Sequence, residues 1–271
     1  MLPIFSKLFE KMIHQKLWCF LDENNIINEN QFGFRASHST AHALISATEN
    51  LYKSLDNDLH TLGIFIDFSK AFDTVNHSIL CGKLEHYGIQ DNMLKLIESY
   101  LSNRDQYVLY GNKASSKLPI TLGVPQGSVL GPLLFILYIN DIVNATSIAK
   151  FVLFADDSNL FISNIDRFKL YELGNQLLRD IFLYCAANYL VINYDKCCFI
   201  EFKRPNNVPK INLSFPFNSI KSEEKCKFLG VYINSNLDWT DQITHARKLV
   251  SQSIGALYSI KSNVPHIHIC N

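Results

Sequence analysis

The stretch Phe151-Val152-Leu153-Phe154-Ala155-Asp156-Asp157-Ser158-Asn159-Leu160-Phe161-Ile162 decides how this sequence folds. Two apolar segments flank a pair of adjacent aspartates, and this pattern predicts a β-hairpin whose strands are joined at 156–159. Adjacent carboxylates repel each other, whereas a turn needs only one such residue. Two interpretations are therefore open at this point: a solvated turn, or a site where a divalent cation removes the repulsion.

A third aspartate closes another apolar run, earlier in the chain. Asp67 ends Gly63-Ile64-Phe65-Ile66-Asp67, inside a buried-strand candidate at 61–68, and a helix-like segment follows it. Asp67 is therefore either a helix N-cap or a carboxylate held at the edge of a sheet. Three carboxylates on neighbouring strands could hold two Mg²⁺ ions about 4 Å apart, and Mn²⁺ could replace them. Such a site would suit phosphoryl transfer, which depends mainly on positioning and charge.

The periodicity elsewhere predicts a mixed order of helices and strands. Helices are expected at 5–20, from about 40 to 55, and at 76–87, 92–102, 128–141, 166–188 and 239–262, and strands at 105–111, 197–203, 211–215 and 225–233. This order favours an α+β fold, with helices packed on one face of a largely antiparallel sheet.

The composition allows a sizeable core. The chain has 271 residues, of which 48% are hydrophobic and 18% charged, so wholesale disorder is excluded. The longest apolar run, 129–139, is too short to span a membrane, and the start lacks the pattern of a signal peptide. We therefore expect an intracellular protein of the nucleus, the cytoplasm or both, without a membrane partner. Seven cysteines without a C-x-x-C pair indicate reduced thiols.

Charge is unevenly distributed although the formal net charge is zero. Residues 196–261 hold ten Lys/Arg and five Asp/Glu, a net charge of +5, so the rest of the chain carries −5. An acidic metal-binding part followed by a basic part that faces phosphates would produce this pattern. Ordinary variation of a protein surface would produce it as well.

Three segments resemble the motifs of reverse transcriptases from non-LTR retrotransposons of the jockey type. They are Phe65-Ile66-Asp67-Phe68-Ser69-Lys70-Ala71-Phe72-Asp73-Thr74-Val75-Asn76-His77, Gly123-Val124-Pro125-Gln126-Gly127-Ser128-Val129-Leu130-Gly131-Pro132 and Phe154-Ala155-Asp156-Asp157. Their order is that of the family, and the likeness covers nearly the whole chain. It implies a right-hand polymerase fold with a fingers/palm domain at 1–235 (partial fingers at about 1–60, palm at about 61–235) and the start of a thumb at 236–271.

The resemblance also implies a reaction and its participants. The family adds deoxynucleotides from their triphosphates to the 3′ end of a DNA primer, copies an RNA template and uses two metal ions. The expected metal ligands and catalytic carboxylates are Asp67, Asp156 and Asp157. Phe72 would be the aromatic gate that excludes a ribose 2′-hydroxyl, unless it is an ordinary core phenylalanine. Phe68 is also expected to contact substrate.

Further roles come from the same resemblance. Gln126 and Gly127 would contact the incoming nucleotide and the template, although a Pro-Gln-Gly sequence is otherwise simply a loop before a helix. Lys196 would donate a proton to the leaving pyrophosphate, unless it is a solvated lysine. Phe228-Leu229-Gly230 would form the primer grip. Arg35 would contact a phosphate of the template or nucleotide.

The pattern departs from the family at both ends. The sequence starts just after the position of a strand with an Arg-Pro-Ile motif and stops within the thumb, so we expect a chain truncated at both termini. One alternative is therefore a catalytically inactive remnant that still binds nucleic acid. The second alternative is another palm-domain polymerase, such as a group II intron maturase or a telomerase-like protein. The third alternative is a plain α+β interaction domain. The sequence predicts no particular protein partner.

Overall fold

A computed structural model describes residues 4–202 and 211–261 of the chain. Its helices are α1 Ile4–Glu23, α2 Thr40–Asp56, α3 His77–His86, α4 Asp91–Leu101, α5 Leu130–Ile139, α6 Arg167–Ala187 and α7 Thr240–Lys261. Its strands are β1 His60–Ile66, β2 Arg104–Gln106, β3 Leu109–Tyr110, β4 Lys113–Ala114, β5 Leu118–Ile120, β6 Lys150–Phe154, β7 Asp157–Asn164, β8 Cys198–Phe202, β9 Lys221–Ser222, β10 Lys225–Phe228 and β11 Val231–Asn234.

The central sheet has five strands in the order β6-β7-β1-β8-β9. Its pairings are antiparallel except for the parallel contact of β8 with β9. Strand β1 lies in the middle and is buried on both faces, which explains why its sequence is apolar throughout rather than alternating. Leu62, Ile64 and Ile66 belong to the core on one side, and Phe65 belongs to a second apolar cluster on the other.

The larger core lies between one face of the sheet and the helices α1, α3, α4, α5 and α6. Helix α5 is the most deeply placed of these, with every residue buried except Pro132. A helix that is apolar all round must be covered on all sides, and the sequence of α5 meets that condition.

Helix α2 occupies the opposite face of the sheet, together with the β10–β11 hairpin. Ala43, Ala47 and Leu51 of α2 pack with Phe65, and Phe228 of β10 joins the same cluster. The expectation that helices cover one face only is therefore wrong. Because β1 is apolar on both faces, each face needs its own cover, and α2 and the hairpin provide the second.

Three strand predictions are also wrong. The segment 105–111 is not one strand but parts of β2 and β3. The segment 211–215 is not a strand and has only an isolated bridge from Ser214 to Ser219. The segment 225–233 is broken by a turn at Leu229-Gly230, where both residues have positive φ angles (47° and 89°), as in tight hairpin turns.

The 151–162 hairpin is confirmed, but its turn is not at 156–159. Phe154 pairs with Asp157, so Ala155 and Asp156 form the turn and Asp157 is the first residue of β7. The strand prediction 197–203 and the helix prediction 239–262 each end one residue outside the described part. Six cysteines lie within that part, and all of them are free thiols. Of the helices described, none is both long enough and apolar enough to cross a membrane.

Candidate active site

The three predicted metal ligands lie at one end of the central sheet. Ile66, the last residue of β1, is opposite Ser158 of β7, so Asp67 leaves β1 beside Asp157. Asp156 occupies the turn that precedes β7. The sheet therefore brings together three carboxylates that come from two separate parts of the sequence.

The pKa values of the two adjacent aspartates reflect this crowding. Partial burial raises the pKa of the Asp156 carboxyl, and the negative charge of Asp67 raises it further. Partial burial also raises the pKa of Asp157, as do the charges of Asp156 and Asp67. The ammonium group of Lys196 acts in the opposite direction on both. The site thus concentrates negative charge that a cation would stabilise.

Asp67 is held by a turn that precedes β8. The side-chain amide Nδ2 of Asn193 donates to Asp67 Oδ2 at 2.8 Å, and the backbone N–H of Asn193 donates to the Asp67 carbonyl at 2.9 Å. Lys196 Nζ lies 3.5 Å from the same Oδ2 atom, while 68% of the Lys196 side chain remains exposed. The turn therefore fixes the carboxylate and places an exposed ammonium group beside it.

The three aspartates offer the type of ligand atom that a hard divalent cation binds, namely carboxylate oxygen. Carboxylate oxygens are the ligands that Mg²⁺ prefers, and Mg²⁺ usually keeps waters or substrate phosphates in its other positions. Within residues 4–202 and 211–261, no group of three or more His, Cys, Asp or Glu side chains is placed so that together they could hold a metal ion.

Gln31 supports the turn that carries Asp156, and sequence reasoning missed this role. Its side chain is fully buried, and Oε1 accepts hydrogen bonds from the backbone N–H of Gly33 at 2.8 Å and of Ala155 at 3.0 Å. Backbone bonds join the same segments, since Phe32 N–H donates to the Leu153 carbonyl at 2.8 Å. A single glutamine has no local signature that would reveal such a contact.

Gly33 permits the close approach of these two segments. A Cβ atom at this position would lie 2.3 Å from the backbone nitrogen of Ala155 and 2.9 Å from the carbonyl carbon of Phe154. Because both atoms belong to the backbone, a side chain could be accommodated only if the turn moved. The carboxylates therefore depend on a loop that lies far upstream in sequence.

The Pro-Gln-Gly loop lies against the segment that follows Asp67. Val124 N–H donates to the Phe72 carbonyl at 2.8 Å, and Gln126 Nε2 donates to Asp73 Oδ1 at 2.9 Å. The ring of Phe72 is half-buried and contacts the tilted ring of Phe135, with 4.4 Å between centroids. Phe72 thus has a core contact on one side, and Asp73 orients the predicted substrate-binding Gln126.

Three other predicted contact residues differ in how they are placed. Gly127 is exposed, with a φ angle of 77°. Phe68 is buried in the larger core, so its side chain is not available to a substrate. Arg35 Nη1 donates to the carbonyls of Asn28 at 3.1 Å and Gln31 at 3.3 Å, so it is partly engaged in holding its own loop.

A cleft of about 430 Å³ separates the carboxylates from the β10–β11 hairpin. Asp67 and Asp157 line one side, and Phe228 and Leu229 of the predicted primer grip line the other, with Gly230 completing the hairpin turn. The lining also contains four lysines: Lys196, Lys221, Lys225 and Lys227. The cleft therefore presents both acidic groups for cations and basic groups for phosphates.

The solved structures with a similar fold include telomerases. A Candida tropicalis apo telomerase truncated from its C-terminal domain superposes with a TM-score of 0.58 at 14% identity, covering 84% of this chain and 44% of that one. A Candida albicans telomerase in complex with a fragment of telomeric RNA gives 0.54 at 14% identity, covering 87% and 37%. At this identity the likeness shows the fold, a mixed α+β arrangement with antiparallel sheets.

The sequence then defines the family. Residues 1–233 match the model described as "Reverse transcriptase (RNA-dependent DNA polymerase)", and the chain belongs to this family. Among curated relatives, the RNA-directed DNA polymerase from mobile element jockey of Drosophila melanogaster is 28% identical over 92% of this chain and 28% of its own length. The probable RNA-directed DNA polymerase from transposon X-element of the same species is 28% identical over 100% and 30%.

These relatives confirm the predicted likeness to non-LTR retrotransposon polymerases. They also favour it over the maturase and telomerase alternatives, because the telomerase likeness is one of fold alone. The chain spans less than a third of the length of the curated relatives that it matches.

Proposed function

We propose that this chain is the catalytic part of an RNA-directed DNA polymerase, which extends a DNA primer with deoxynucleoside triphosphates on an RNA template. One observation carries the proposal: Asp67 and Asp157 line a cleft that four lysines also line, with Asp156 in the adjoining turn, within a chain of the reverse transcriptase family. We expect the activity inside the cell, in the nucleus or the cytoplasm, where such templates and primers are found.

Divalent cations are used by reverse transcriptases in general, and two Mg²⁺ or Mn²⁺ ions would suit this site. Asp67, Asp156 and Asp157 would hold them. When bound, such ions supply charge stabilisation to the primer 3′-oxygen and to the triphosphate. The protein itself contributes geometry, because Asn193 fixes the Asp67 carboxylate and Gln31 fixes the turn at Asp156.

The other predicted contacts can be assigned around this centre. Lys196, which lies beside Asp67 with most of its side chain exposed, would reach the leaving pyrophosphate. Phe72 would face the sugar of the incoming nucleotide, and Gln126 and Gly127 its base and the template. Phe68 would contribute through its backbone only, because its side chain is in the core. Arg35 would use its remaining N–H groups for a phosphate.

The same proposal assigns the parts of a right-hand polymerase to ranges of the chain. Residues 1–60 would form part of the fingers, 61–235 the palm, and 236–271 the start of the thumb. Phe228-Leu229-Gly230, at the tip of the β10–β11 hairpin across the cleft, would hold the primer end. Helix α7, whose side chains are mostly exposed and include Arg247 and Lys248, would face the RNA–DNA duplex.

Primer extension on an RNA template tests the proposal, with Asp156→Asn as the matched control. This substitution preserves the size of the side chain and removes a metal ligand. We expect Mg²⁺-dependent products from the natural chain and a loss of about 10³-fold in the variant, equivalent to several kcal/mol of transition-state stabilisation. Equal, negligible extension by both would contradict the enzyme proposal. Retained binding of an RNA–DNA duplex in that case would support the inactive, nucleic-acid-binding alternative.

A further inference from the structure

Two cysteines from different layers of the protein meet at the wall of the cleft. Cys198 is the first residue of β8 and lies opposite Phe65 of β1. The ring of Phe228 on the hairpin is 5.9 Å from the ring of Phe65. In β10, Cys226 and Phe228 are turned inward while Lys225 and Lys227 are exposed, as the two-residue period of a strand requires. Cys226 therefore faces the central sheet, where it packs on the same apolar cluster as Cys198.

Both thiols are half-buried, pack on the same apolar cluster and line the same cleft. The Cys226 S–H donates a hydrogen bond to the Cys198 sulfur, and this bond lowers the pKa of Cys198, whereas burial and the charge of Glu223 act against it. The same bond, together with burial, raises the pKa of Cys226. The two thiols therefore influence each other's titration, as close neighbours do.

The neighbouring Cys197 also borders the cleft, but its side chain packs in a different core. Cys197 lies on the other side of the strand, in the larger core, where it is fully buried. Its thiol is directed at the backbone carbonyl of Asp67, 3.9 Å away. Adjacent cysteines thus face opposite sides of the sheet, and only Cys198 can reach the hairpin.

We propose that Cys198 and Cys226 form a redox-sensitive dithiol, which closes to a disulfide when a peroxide is present. The Cys198 thiolate attacks one peroxide oxygen, the O–O bond breaks, and hydroxide leaves, so that Cys198 becomes a sulfenic acid. The Cys226 sulfur then attacks the Cys198 sulfur, the S–O bond breaks, and water leaves with the Cys226 proton. Two thiols lose two electrons in total, and hydrogen peroxide is reduced to two water molecules.

The bond would join two parts of the fold that are otherwise separate sheets. Strand β8 is hydrogen-bonded into the five-stranded sheet, whereas β10 and β11 form a two-stranded sheet of their own. The disulfide therefore fixes the hairpin to the sheet, opposite Asp67 and Asp157. It is a modification site for two-electron oxidants and does not depend on the proposed polymerase activity.

The test uses the full, reduced chain, treated with hydrogen peroxide, alkylated with iodoacetamide and digested without reductant. We expect a mass-spectrometric cross-link between the peptides that contain Cys198 and Cys226, and a loss of two free thiols per chain that dithiothreitol reverses. The variant Cys197→Ser should keep the cross-link, and Cys198→Ser should lose it. Cys226→Ser should instead accumulate a sulfenic acid at Cys198 that dimedone traps.

Other products would overturn the inference. A cross-link that persists in Cys198→Ser would assign the reaction to Cys197, and intermolecular dimers without the internal cross-link would show that the thiols do not meet within one chain. Cys81→Ser, a half-buried cysteine on α3 far from the cleft, is the control for general effects of a lost thiol and should leave the cross-link unchanged.

Discussion

The two sides of the cleft are built differently. The acidic side, which we call the sheet wall (Asp67, Asp156 and Asp157), is part of a hydrogen-bonded sheet, and a buried glutamine supports its turn from outside. The opposite side, the hairpin wall (β10–β11, Lys225–Asn234), is a separate two-stranded sheet. It is held to the central sheet through side-chain packing, above all that of the buried Phe228 and Ile233.

The difference matches what each wall would have to do. Metal ligands must be fixed to within a fraction of an ångström, so a ladder of hydrogen bonds on both sides of β1 suits them. A surface that holds a primer end must follow a duplex as it advances, and a side-chain contact can shift more easily than a strand ladder. Substitutions that affect one wall and spare the other can therefore test this division.

The largest effect is expected at the hairpin wall, in Phe228→Ala. Phe228 is only 2% exposed, and removing its ring leaves a cavity, so we expect the free energy of unfolding to fall by about 3 kcal/mol or more. Urea denaturation measures this loss. Hydrogen exchange should accelerate in 225–234 well before it changes in β1.

Phe168→Ala is the matched control for this change, since Phe168 is 78% exposed and its loss should cost little. If Phe228→Ala accelerated exchange equally in both walls, the hairpin and the sheet would unfold as one cooperative unit. The hairpin wall would then not be the more loosely attached of the two.

Gly33→Ala should damage the sheet wall instead. The added methyl group meets the backbone of Ala155 at 2.3 Å, so the turn that carries Asp156 must move, at a cost of about 1–3 kcal/mol. Thermal unfolding measures the loss. Gly82→Ala on α3 is the control: it meets nothing within 4 Å, and it should stabilise the helix by about 0.5–1 kcal/mol. If both variants were equally stable, the contact of Gly33 with the turn would be looser than described.

Gln31→Met separates the side-chain hydrogen bonds from the shape of the residue. The change leaves the buried N–H groups of Gly33 and Ala155 without their side-chain acceptor, and we expect a loss of about 1–2 kcal/mol. Denaturant titration measures it, with Gln15→Met on the exposed surface of α1 as a neutral control. A neutral result for Gln31→Met would show that backbone bonds alone hold the turn.

Asp157→Asn should give the smallest change, and in the opposite direction. Because the folded protein raises the pKa of Asp157, its ionised form destabilises the fold, and this penalty appears as pH rises through the folded pKa. At neutral pH without divalent cations we expect the variant to melt about 1–2 °C higher. The difference should vanish well below the ordinary aspartate pKa of about 3.9, where the carboxyl is protonated in both states.

Added Mg²⁺ provides the complementary measurement. It should raise the melting temperature of the natural chain more than that of Asp157→Asn, because a ligand that binds only the folded state stabilises it. An equal response of the two proteins would contradict a metal role for Asp157.

The sequence was informative where the determinants are local. The apolar run before Asp67 and the paired segments around Asp156 predicted β1 and the β6–β7 hairpin correctly, because each pattern is contained in a few neighbouring residues. The position of the turn was misjudged by one residue or more, since Ala155 adopts a positive φ angle (55°) that alanine rarely favours. The turn of the second hairpin was missed for the same reason, because Leu229 also adopts a positive φ angle.

The remaining features depend on distant contacts. Nothing in the pattern of α2 says which face of the sheet it will cover, because both faces are apolar. The supports of the site, Gln31 and Asn193, are recognisable only once their partners Ala155 and Asp67 are placed beside them. The roles proposed for the carboxylates, for Lys196 and for the hairpin residues remain predictions that the variants above can test.

The wide spacing of these supports has a consequence for synthesis of the protein. Gln31 is separated from Ala155 by 124 positions, and Asn193 from Asp67 by 126. At the usual pace of a ribosome, roughly 6–25 s pass between the translation of Gln31 and that of its partner. From the translation of β1 until that of Ala155, β1 has neither of its neighbouring strands, so its apolar faces and edges are open to chaperones, proteases and other nascent chains. The site is a late product of translation, complete only after β8 has emerged.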